Sequence, residues 1–150
     1  MKITILKYTV LLLIVAGCFT SCEKGNVQLL EGTRWKLIGI VDVQTGDLIE
    51  LEPINCNEYY TLTFDTGSTF QTFSSVNELQ GIYKADYTNQ TIQIVNFGGT
   101  KMGELGDGNL YADPFGEMAI QSFSLQGSEL KLYYNDKKNY LKYKKNRRLK

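Results

Sequence analysis

The sequence contains no histidine, and among its 150 residues cysteine occurs only three times, at Cys18, Cys22 and Cys56. The lack of histidine removes the commonest general base and the commonest metal ligand of proteins. Only Cys56 lies beyond the first 22 residues, so the body of the chain has no pair for a structural disulfide. A zinc site built from cysteine and histidine is excluded for the same reason.

The apolar run near the start, Tyr8 to Ala16, is too short to cross a bilayer as a helix, because it has nine residues and a transmembrane helix needs roughly 20. It follows Lys2 and Lys7 and has the length of the apolar region of a secretory signal. The run ends at Val15-Ala16-Gly17-Cys18, a pattern that lipoprotein signal peptidase reads, and Phe19-Thr20-Ser21-Cys22 offers a second such pattern.

Residues 1–22 are therefore predicted to be a lipoprotein signal peptide, with Cys18 or Cys22 as the lipidated residue. The alternative is an ordinary cleaved signal with incidental cysteines. Several acyl chains on one residue give stable anchoring, so we expect a protein tethered by lipid to the cell envelope, in the outer membrane of a Gram-negative bacterium. Residues 23–30 are predicted to be a tether, 31–145 the folded domain and 146–150 a basic tail.

The net charge of zero conceals an asymmetry. Eight of the 16 basic residues lie in Lys137 to Lys150, whereas all 16 acidic residues lie between Glu23 and Asp136. We interpret the lysines near the end as the solvated face of a last strand followed by a frayed terminus. Contact with an anionic membrane surface or with the acidic body is the alternative. Nucleic acid is not an expected partner of an envelope protein.

Alternation of apolar and polar residues dominates the rest of the chain, which is typical of half-buried strands. In the strand that begins at Thr33, Trp35 and Leu37 are predicted to face one side, with Gly39 as a further candidate for that side. The residues Arg34, Lys36 and Ile38 are predicted to face the other side. Further strands are predicted near 48–51, 59–64, 68–74, 79–86, 91–96, 121–126, 129–134 and 139–144. The sequence predicts an all-β fold, an antiparallel meander of eight to ten short strands closed or curled into a small barrel, because closure removes unpaired edges.

Only two prolines occur, and each limits an element. Pro53 ends the second strand, because proline donates no hydrogen bond to a ladder. Pro114 follows Asp113, which suits the first helical position. We therefore predict at most one short helical turn, near residues 113–120.

Leu30-Glu31-Gly32-Thr33-Arg34-Trp35-Lys36-Leu37 resembles the opening Leu-x-Gly-x-Trp-x-Leu of META/HslJ-like domains. Val76-Asn77-Glu78-Leu79-Gln80-Gly81-Ile82-Tyr83 resembles their Cys-Asn-x-x-x-Gly-x-Tyr, and Gly99-Thr100-Lys101-Met102 their Ser-Thr-x-Met. Val76 replaces the cysteine of that family, and no cysteine follows Met102. The glycine-to-tryptophan start and the meander also resemble small lipocalin-like envelope lipoproteins. The resemblance implies a fold and an envelope setting, and carries over no catalytic residue.

The residues that carry this resemblance are expected to be structural. Glycine allows close backbone approach, asparagine forms turns, and Trp35 is expected to plug one end of the barrel with its indole N–H on a backbone acceptor. The family-motif residues are Gly32, Trp35, Asn77, Gly81, Tyr83, Thr100 and Met102.

Three patterns that could carry chemistry are weak. Asp65-Thr66-Gly67 matches the aspartic protease motif, but one copy would require a homodimer, and we interpret it as a strand turn. Cys56 has no histidine to activate it. Glu104, Asp107, Asp113 and Glu117 supply calcium-type ligands without the spacing of a calcium loop.

We therefore expect a non-enzymatic binding or interaction module, without a cofactor or metal, whose partner is a protein or a small apolar ligand. The alternative function is carriage of that apolar ligand inside the barrel. Ten tyrosines, seven phenylalanines and one tryptophan argue for a filled interior. The pairs Tyr59-Tyr60 and Tyr133-Tyr134 place one ring on each sheet face. We expect scattered exposed tyrosines on the outer face, with a contiguous outer aromatic patch as the alternative.

Overall fold

The computed structural model describes residues 28–53 and 56–146, which form one closed antiparallel barrel with a single short helix. The strands are β1 (Thr33–Asp42), β2 (Leu48–Ile49), β3 (Thr61–Phe64), β4 (Thr69–Phe73), β5 (Glu78–Asp86), β6 (Thr91–Gly99), β7 (Ser122–Gln126), β8 (Glu129–Tyr134) and β9 (Asn139–Lys145), and the helix α1 (Gly108–Gly116) lies between β6 and β7. The all-β meander predicted from the sequence is confirmed. The predicted signal peptide, with Cys18 and Cys22, and the residues of the basic tail after Asn146 lie outside the described residues.

Each strand from β3 to β8 pairs with the next along the chain, and β9 returns to pair with β1. Residues 35 to 42 of β1 pair with β9, while residues 33 to 36 also pair with β3 on the other side. β2 is a two-residue strand beside the far end of β1. Eight strands thus close the ring and β2 lies next to it, so the main edges are paired.

The seam between β6 and β7 is the weakest of the ring. It has a single register pair, Thr91 with Ser122, supported by backbone hydrogen bonds from Ile92 N to Gln121 O (3.1 Å) and from Phe123 N to Gln90 O (3.0 Å). The remainder of β6 packs on α1 through the rings of Phe97 and Phe115, which stack at 6.1 Å. The helix therefore covers the part of β6 that β7 does not reach.

Aromatic side chains fill the interior. Phe64 and Tyr83 meet edge to face at 4.9 Å, near the end of the barrel at which β1 begins. At the other end, Tyr111 of α1 lies 5.2 Å from Tyr60 between ring centroids. The largest side chains that are fully buried are Trp35, Tyr111, Tyr143, Phe64, Phe70 and Phe115. The interior is a packed core, as the aromatic content predicted.

Trp35 is fully buried, as predicted for a plug. Its indole N–H, however, donates to the side-chain hydroxyl of Thr33 at 2.7 Å, and the Thr33 hydroxyl in turn bonds to the carbonyl of Leu30. The prediction of a backbone acceptor for the indole N–H was therefore wrong. The acceptor is the Thr33 side chain, which in turn bonds to a backbone carbonyl. Leu30, assigned to the tether from the sequence, is fully buried, because this relay and the core hold it inside the domain.

The alternation of burial in β1 holds as far as Gly39, which is buried like Trp35 and Leu37. A bulge between Leu37 and Gly39 shifts the register against β9, so that Ile40 and Val41 are buried after it. A Cβ on Gly39 would lie 2.8 Å from the side chain of Leu48, and glycine lets β2 approach at this point.

The helix begins earlier than the sequence indicated. We predicted a turn near 113–120 with Pro114 at its first position, but α1 spans Gly108–Gly116 and Pro114 lies inside its last turn. The loop before the helix fixes its start, because Asp107 N donates to Glu52 O (2.8 Å) and Glu52 N donates to the Asp107 carboxylate (2.9 Å). Proline this close to the end interrupts few helical hydrogen bonds.

Candidate functional site

The family-motif residue Asn77 meets the motif residues Thr100 and Met102, which follow β6, at the helix end of the barrel. Asn77 is buried in the turn between β4 and β5. Its Oδ1 accepts hydrogen bonds from Thr100 Oγ1 (3.0 Å) and Met102 N (2.8 Å), and its Nδ2 donates to Met102 O (2.9 Å). The side chain of Met102 is 66% exposed, so the backbone of that residue, rather than its side chain, makes the contact.

Glu104 completes this cluster, which we call the Glu104 clamp: Ser74, Ser75, Asn77, Thr100, Met102 and Glu104. The Glu104 carboxylate accepts hydrogen bonds from Ser74 Oγ at 2.6 and 2.8 Å, from Ser75 Oγ at 2.6 Å and from Asn77 Nδ2 at 2.6 Å. Burial opposes ionisation of this carboxyl, but the hydrogen bonds outweigh it and hold the pKa of Glu104 below its ordinary value. The carboxylate is therefore held ionised and occupied by donors within the protein.

The clamp fixes the segment from Thr100 to Asp107 against the turn between β4 and β5. Gly108, at the start of α1, lies so close to Ser75 and Glu104 that an added Cβ would collide with both side chains. Sequence reasoning placed Asn77, Thr100 and Met102 in one motif but considered Glu104 only as a calcium ligand. The Ser-Ser-x-Asn spacing, typical of turns in which side chains bond the backbone, was the available signal for its partners.

An open groove of about 790 Å³ lies next to the clamp, on the outer face of β1, β3, β4 and β5. The register of these strands brings Thr63, Gln71 and Gln80 side by side across the face. We call this feature the outer groove; it is lined by Arg34, Asn57, Glu58, Thr61, Thr63, Gln71, Thr72, Phe73, Glu78, Leu79, Gln80, Gly99 and Thr100. Thr100 belongs to both the groove and the clamp, so the clamp sets the position of the groove's rim.

The loop before β3 forms the other wall of the outer groove. Lys36 Nζ donates to Cys56 O at 2.9 Å and also to Tyr59 O, which ties this loop to β1. Desolvation by burial, followed by the charge of Lys144, lowers the pKa of Lys36, while Cys56 opposes this change. Tyr59 stacks on Phe73 with ring centroids 6.0 Å apart and planes at 11°, so an aromatic pair supports one side of a mostly polar groove.

The chemistry of the groove is that of hydrogen bonding. Its lining offers amides (Gln71, Gln80), hydroxyls (Thr61, Thr63), one guanidinium and two carboxylates, Glu58 and Glu78. Arg34 Nε is bonded to Thr63 Oγ1 at 3.2 Å. Such a surface matches a polar ligand with its own donors and acceptors.

The other candidate residues are dispersed. Asp65 lies in the turn between β3 and β4, where its N–H donates to Thr69 O (2.9 Å), at the barrel end opposite the clamp. Asp107 is engaged with Glu52, and among residues 28–53 and 56–146 no group of three or more His, Cys, Asp or Glu side chains is placed to hold a metal ion. Cys56 is a half-buried free thiol in the loop before β3.

The remaining motif residues have structural positions. Gly32 has a φ of 72° before β1. Gly81 passes so close to Phe70 that an added Cβ would lie 2.5 Å from its ring. Tyr83 is buried, and burial, followed by the charge of Tyr87, raises its pKa to about 12.

On the outer face of β8 and β9, Tyr133 and Tyr140 lie opposite each other with ring centroids 5.2 Å apart, and both are half-buried. Tyr59 and Tyr60, predicted to begin a strand, instead lie in the turn before β3. Sequence reasoning missed Tyr111, whose hydroxyl bonds Thr72 Oγ1 (2.6 Å) and Thr61 O (3.1 Å) inside the barrel. No helix among the described residues is long and apolar enough to traverse a bilayer.

Comparison with known proteins gives one informative relative in sequence. The chain is 33% identical over 138 residues to a protein of Tannerella forsythia named "Putative lipoprotein", and the match covers 89% of each chain. No protein-family model matches the sequence.

Two solved structures share the fold. A protein from Burkholderia xenovorans, solved by NMR, matches with a TM-score of 0.64 at 21% identity, over 81% of this chain and 87% of that one. The crystal structure of a DUF4847 family protein from Bacteroides vulgatus matches with a TM-score of 0.58 at 15% identity, over 79% of this chain and 95% of that one.

Proposed function

This chain belongs to the family of the Tannerella forsythia lipoprotein, and from that premise we propose that it is a non-enzymatic, lipid-anchored protein of the cell envelope. Its barrel acts as a binding module that takes a polar ligand in the outer groove. The anchor is carried by Cys18 or Cys22, and the membrane is the outer membrane of a Gram-negative bacterium.

The observation that carries this proposal is the contrast between the inside and the outside of the barrel. Inside, the rings of Trp35, Phe64, Phe70 and Tyr143 are buried to 1% exposure or less, and they occupy the space that an apolar ligand would need. Outside, the groove offers about 790 Å³ of open space lined by polar side chains, within the range of small-molecule sites. Binding outside the barrel is therefore favoured over carriage inside it.

The groove is also preorganised for binding. One wall is held by Lys36 through two backbone carbonyls, and the opposite rim is held by Asn77 through Thr100. Groups fixed before a ligand arrives lose less freedom when it binds, which raises affinity. Lys36 projects from β1, and Asn77 projects from the tight turn between β4 and β5.

Features of both predicted resemblances support the envelope setting. The meander in which β9 returns to β1 is the topology expected of a lipocalin-like barrel. The META-like motif residues Asn77, Thr100 and Met102 are in direct contact, which supports reading the two short motifs as one structural unit. The protease hypothesis at Asp65, which needs a second copy of the chain, stays a prediction that no feature of the groove favours.

The experiment is native mass spectrometry of the protein purified from its own host, compared with the double variant Gln71→Ala/Gln80→Ala. Both glutamines are exposed, so their loss is expected to change stability by no more than about 0.5 kcal/mol each. We expect a ligand mass on the wild-type protein that the double variant loses. The matched control is Gln93→Ala, an exposed glutamine on β6 outside the groove, which keeps the ligand.

Two results would contradict the proposal. An extra mass that organic extraction releases equally from wild type and the groove variant would place the ligand inside the barrel and favour the carrier. A bare mass for all forms, followed by crosslinking that captures no partner at the groove, would remove the binding role of that surface.

A further inference from the structure

We propose that the outer face of β8 and β9, with the barrel end from which both termini leave, rests on anionic phospholipid headgroups of the membrane that holds the lipid anchor. This inference rests on the proposed anchoring and adds an orientation to it. We call the surface the basic face; it comprises Lys131, Lys142, Lys144 and Lys145.

The pairing of the strands places like charges directly opposite each other on this surface. Lys131 pairs with Lys142 across β8 and β9, and Lys144 pairs with Lys36 across β9 and β1. Like charges in such positions destabilise a sheet. Two adjacent pairs of this kind cost stability in the isolated barrel, and an anionic surface would offset that cost.

Internal compensation on the basic face is incomplete. Glu129 is its acidic partner, with its carboxylate 3.2 Å from Lys131 Nζ and 3.6 Å from Lys142 Nζ. Glu129 also lies directly opposite Lys144 in the register of β8 and β9, so one carboxylate faces three lysines, and Lys144 and Lys145 are exposed. Lys36 differs, because its ammonium group is engaged with the backbone of the loop before β3.

The termini bring this surface close to the predicted anchor. Gln28 accepts a hydrogen bond from Gly127 N (3.0 Å) in the turn between β7 and β8, and Lys145 N donates to Ser128 O (2.8 Å) in the same turn. Cys22 precedes Gln28 by six residues and Cys18 precedes it by ten, which span at most about 21 Å and about 36 Å when extended. The chain also continues beyond Asn146 with Arg147, Arg148 and Lys150.

The opposite end of the barrel carries the segment before α1 and the helix itself, with Glu104, Asp107, Asp113 and Glu117, and Lys137 and Lys138 in the turn between β8 and β9. At the anchor end, Glu31 and Asp65 lie in and beside the turn between β3 and β4, so the basic residues of that end are concentrated on its β8 and β9 side. A negative membrane surface, whose field extends about one Debye length, roughly 10 Å, attracts that side of the barrel.

The composition of the face also suits a lipid interface. Tyr133 and Tyr140 lie on the same outer surface, and Lys131 Nζ lies 5.3 Å from the centroid of the Tyr140 ring. Tyrosine and lysine both combine an apolar body with a polar end, and tyrosine is enriched at the headgroup level of membranes.

The test is lysine footprinting of the full lipidated protein in lipid nanodiscs. Acetylation rates of individual lysines are measured by peptide mass spectrometry in discs of phosphatidylcholine alone and in discs containing phosphatidylglycerol. We expect Lys142, Lys144 and Lys145 to react about threefold more slowly in the anionic discs, and the difference to vanish in about 0.5 M salt. Lys84 and Lys101, which are exposed elsewhere, serve as controls in the same molecule.

The variant Lys144→Glu/Lys145→Glu provides the second arm, and it should abolish the slowing at Lys142. Equal rates in the two discs would overturn the proposal, as would equal slowing at Lys84 and Lys101 or slowing that ignores lipid charge. If the purified protein carries no acyl mass, the anchor itself fails. Co-sedimentation of that protein with phosphatidylglycerol vesicles then decides the orientation proposal, because salt-sensitive binding supports it and absence of binding overturns it.

Discussion

Replacing Asn77 by alanine is expected to weaken the whole barrel, because this one side chain joins three separate parts of the Glu104 clamp. It makes hydrogen bonds to Thr100 Oγ1, to both backbone groups of Met102 and to the Glu104 carboxylate. Neutral hydrogen bonds contribute about 0.5–1.5 kcal/mol net and those to charged groups about 1.5–3 kcal/mol.

The full sum would be about 3–7 kcal/mol, but Thr100 and Met102 are exposed and water can replace part of what they lose. We therefore expect Asn77→Ala to lower the free energy of unfolding by about 3 kcal/mol, which corresponds to a fall in Tm of about 10 °C for a domain of this size.

Urea unfolding measured by tryptophan fluorescence is the assay. Trp35 is the single tryptophan of the chain and is fully buried, so its emission reports exposure of the core. Asn96→Ala is the control, because Asn96 is exposed on β6 and should change stability by less than about 0.5 kcal/mol. A loss below about 1 kcal/mol for Asn77→Ala would refute the reasoning that the clamp stabilises the barrel.

Three further outcomes are expected in the same assay. The folded-state pKa of Glu104 is lowered from its ordinary value of 4.5, so the stability that the ionised carboxylate contributes is complete above that pH and is lost as pH falls through the lowered pKa. The variant Glu104→Gln should not show this acid loss of stability. An acid profile of the variant equal to that of the wild type would contradict the prediction. Gly81→Ala should cost about 2 kcal/mol or more, since the added Cβ would meet the Phe70 ring at 2.5 Å, while Gly98→Ala, with nothing within 4 Å of its Cβ, should be nearly neutral. Tyr111→Phe should cost about 1–2 kcal/mol through the lost bonds to Thr72 and Thr61, and equality with wild type would show that these bonds add nothing.

The strands were predictable because burial on one face of a sheet imposes a period of two along the chain. Tyr83, Ile92 and Ile94 follow that period and are buried. The bulge in β1 was not predictable, because it depends on the approach of β2 to Gly39, which is a contact between elements. The start of α1 was misplaced for a similar reason, since the bonds between Asp107 and Glu52 join residues 55 positions apart.

The candidate site was predictable only in part. Short motifs identified Asn77, Thr100 and Met102 as a set, and these residues do meet. The role of Glu104 could not be derived, because a carboxylate in a glycine-rich segment is equally suited to a metal and to hydroxyl donors. The donors, Ser74 and Ser75, lie about 30 positions earlier in the chain, and only the closed barrel brings them within reach.

The pairing of β1 with β9 determines when the barrel can close during delivery of the chain. Because β1 pairs with β9 along most of its length, a chain delivered from its N-terminus has no closed barrel until residues 139–145 of β9 arrive. Long-range closure of this kind is slow, and the unfinished sheet leaves an open edge. A product cut short before Asn139 would leave β1 unpaired along the edge that β9 covers, and an unclosed chain of this kind is exposed to proteolysis. The topology therefore lets only chains that include β9 form the closed, protease-resistant barrel.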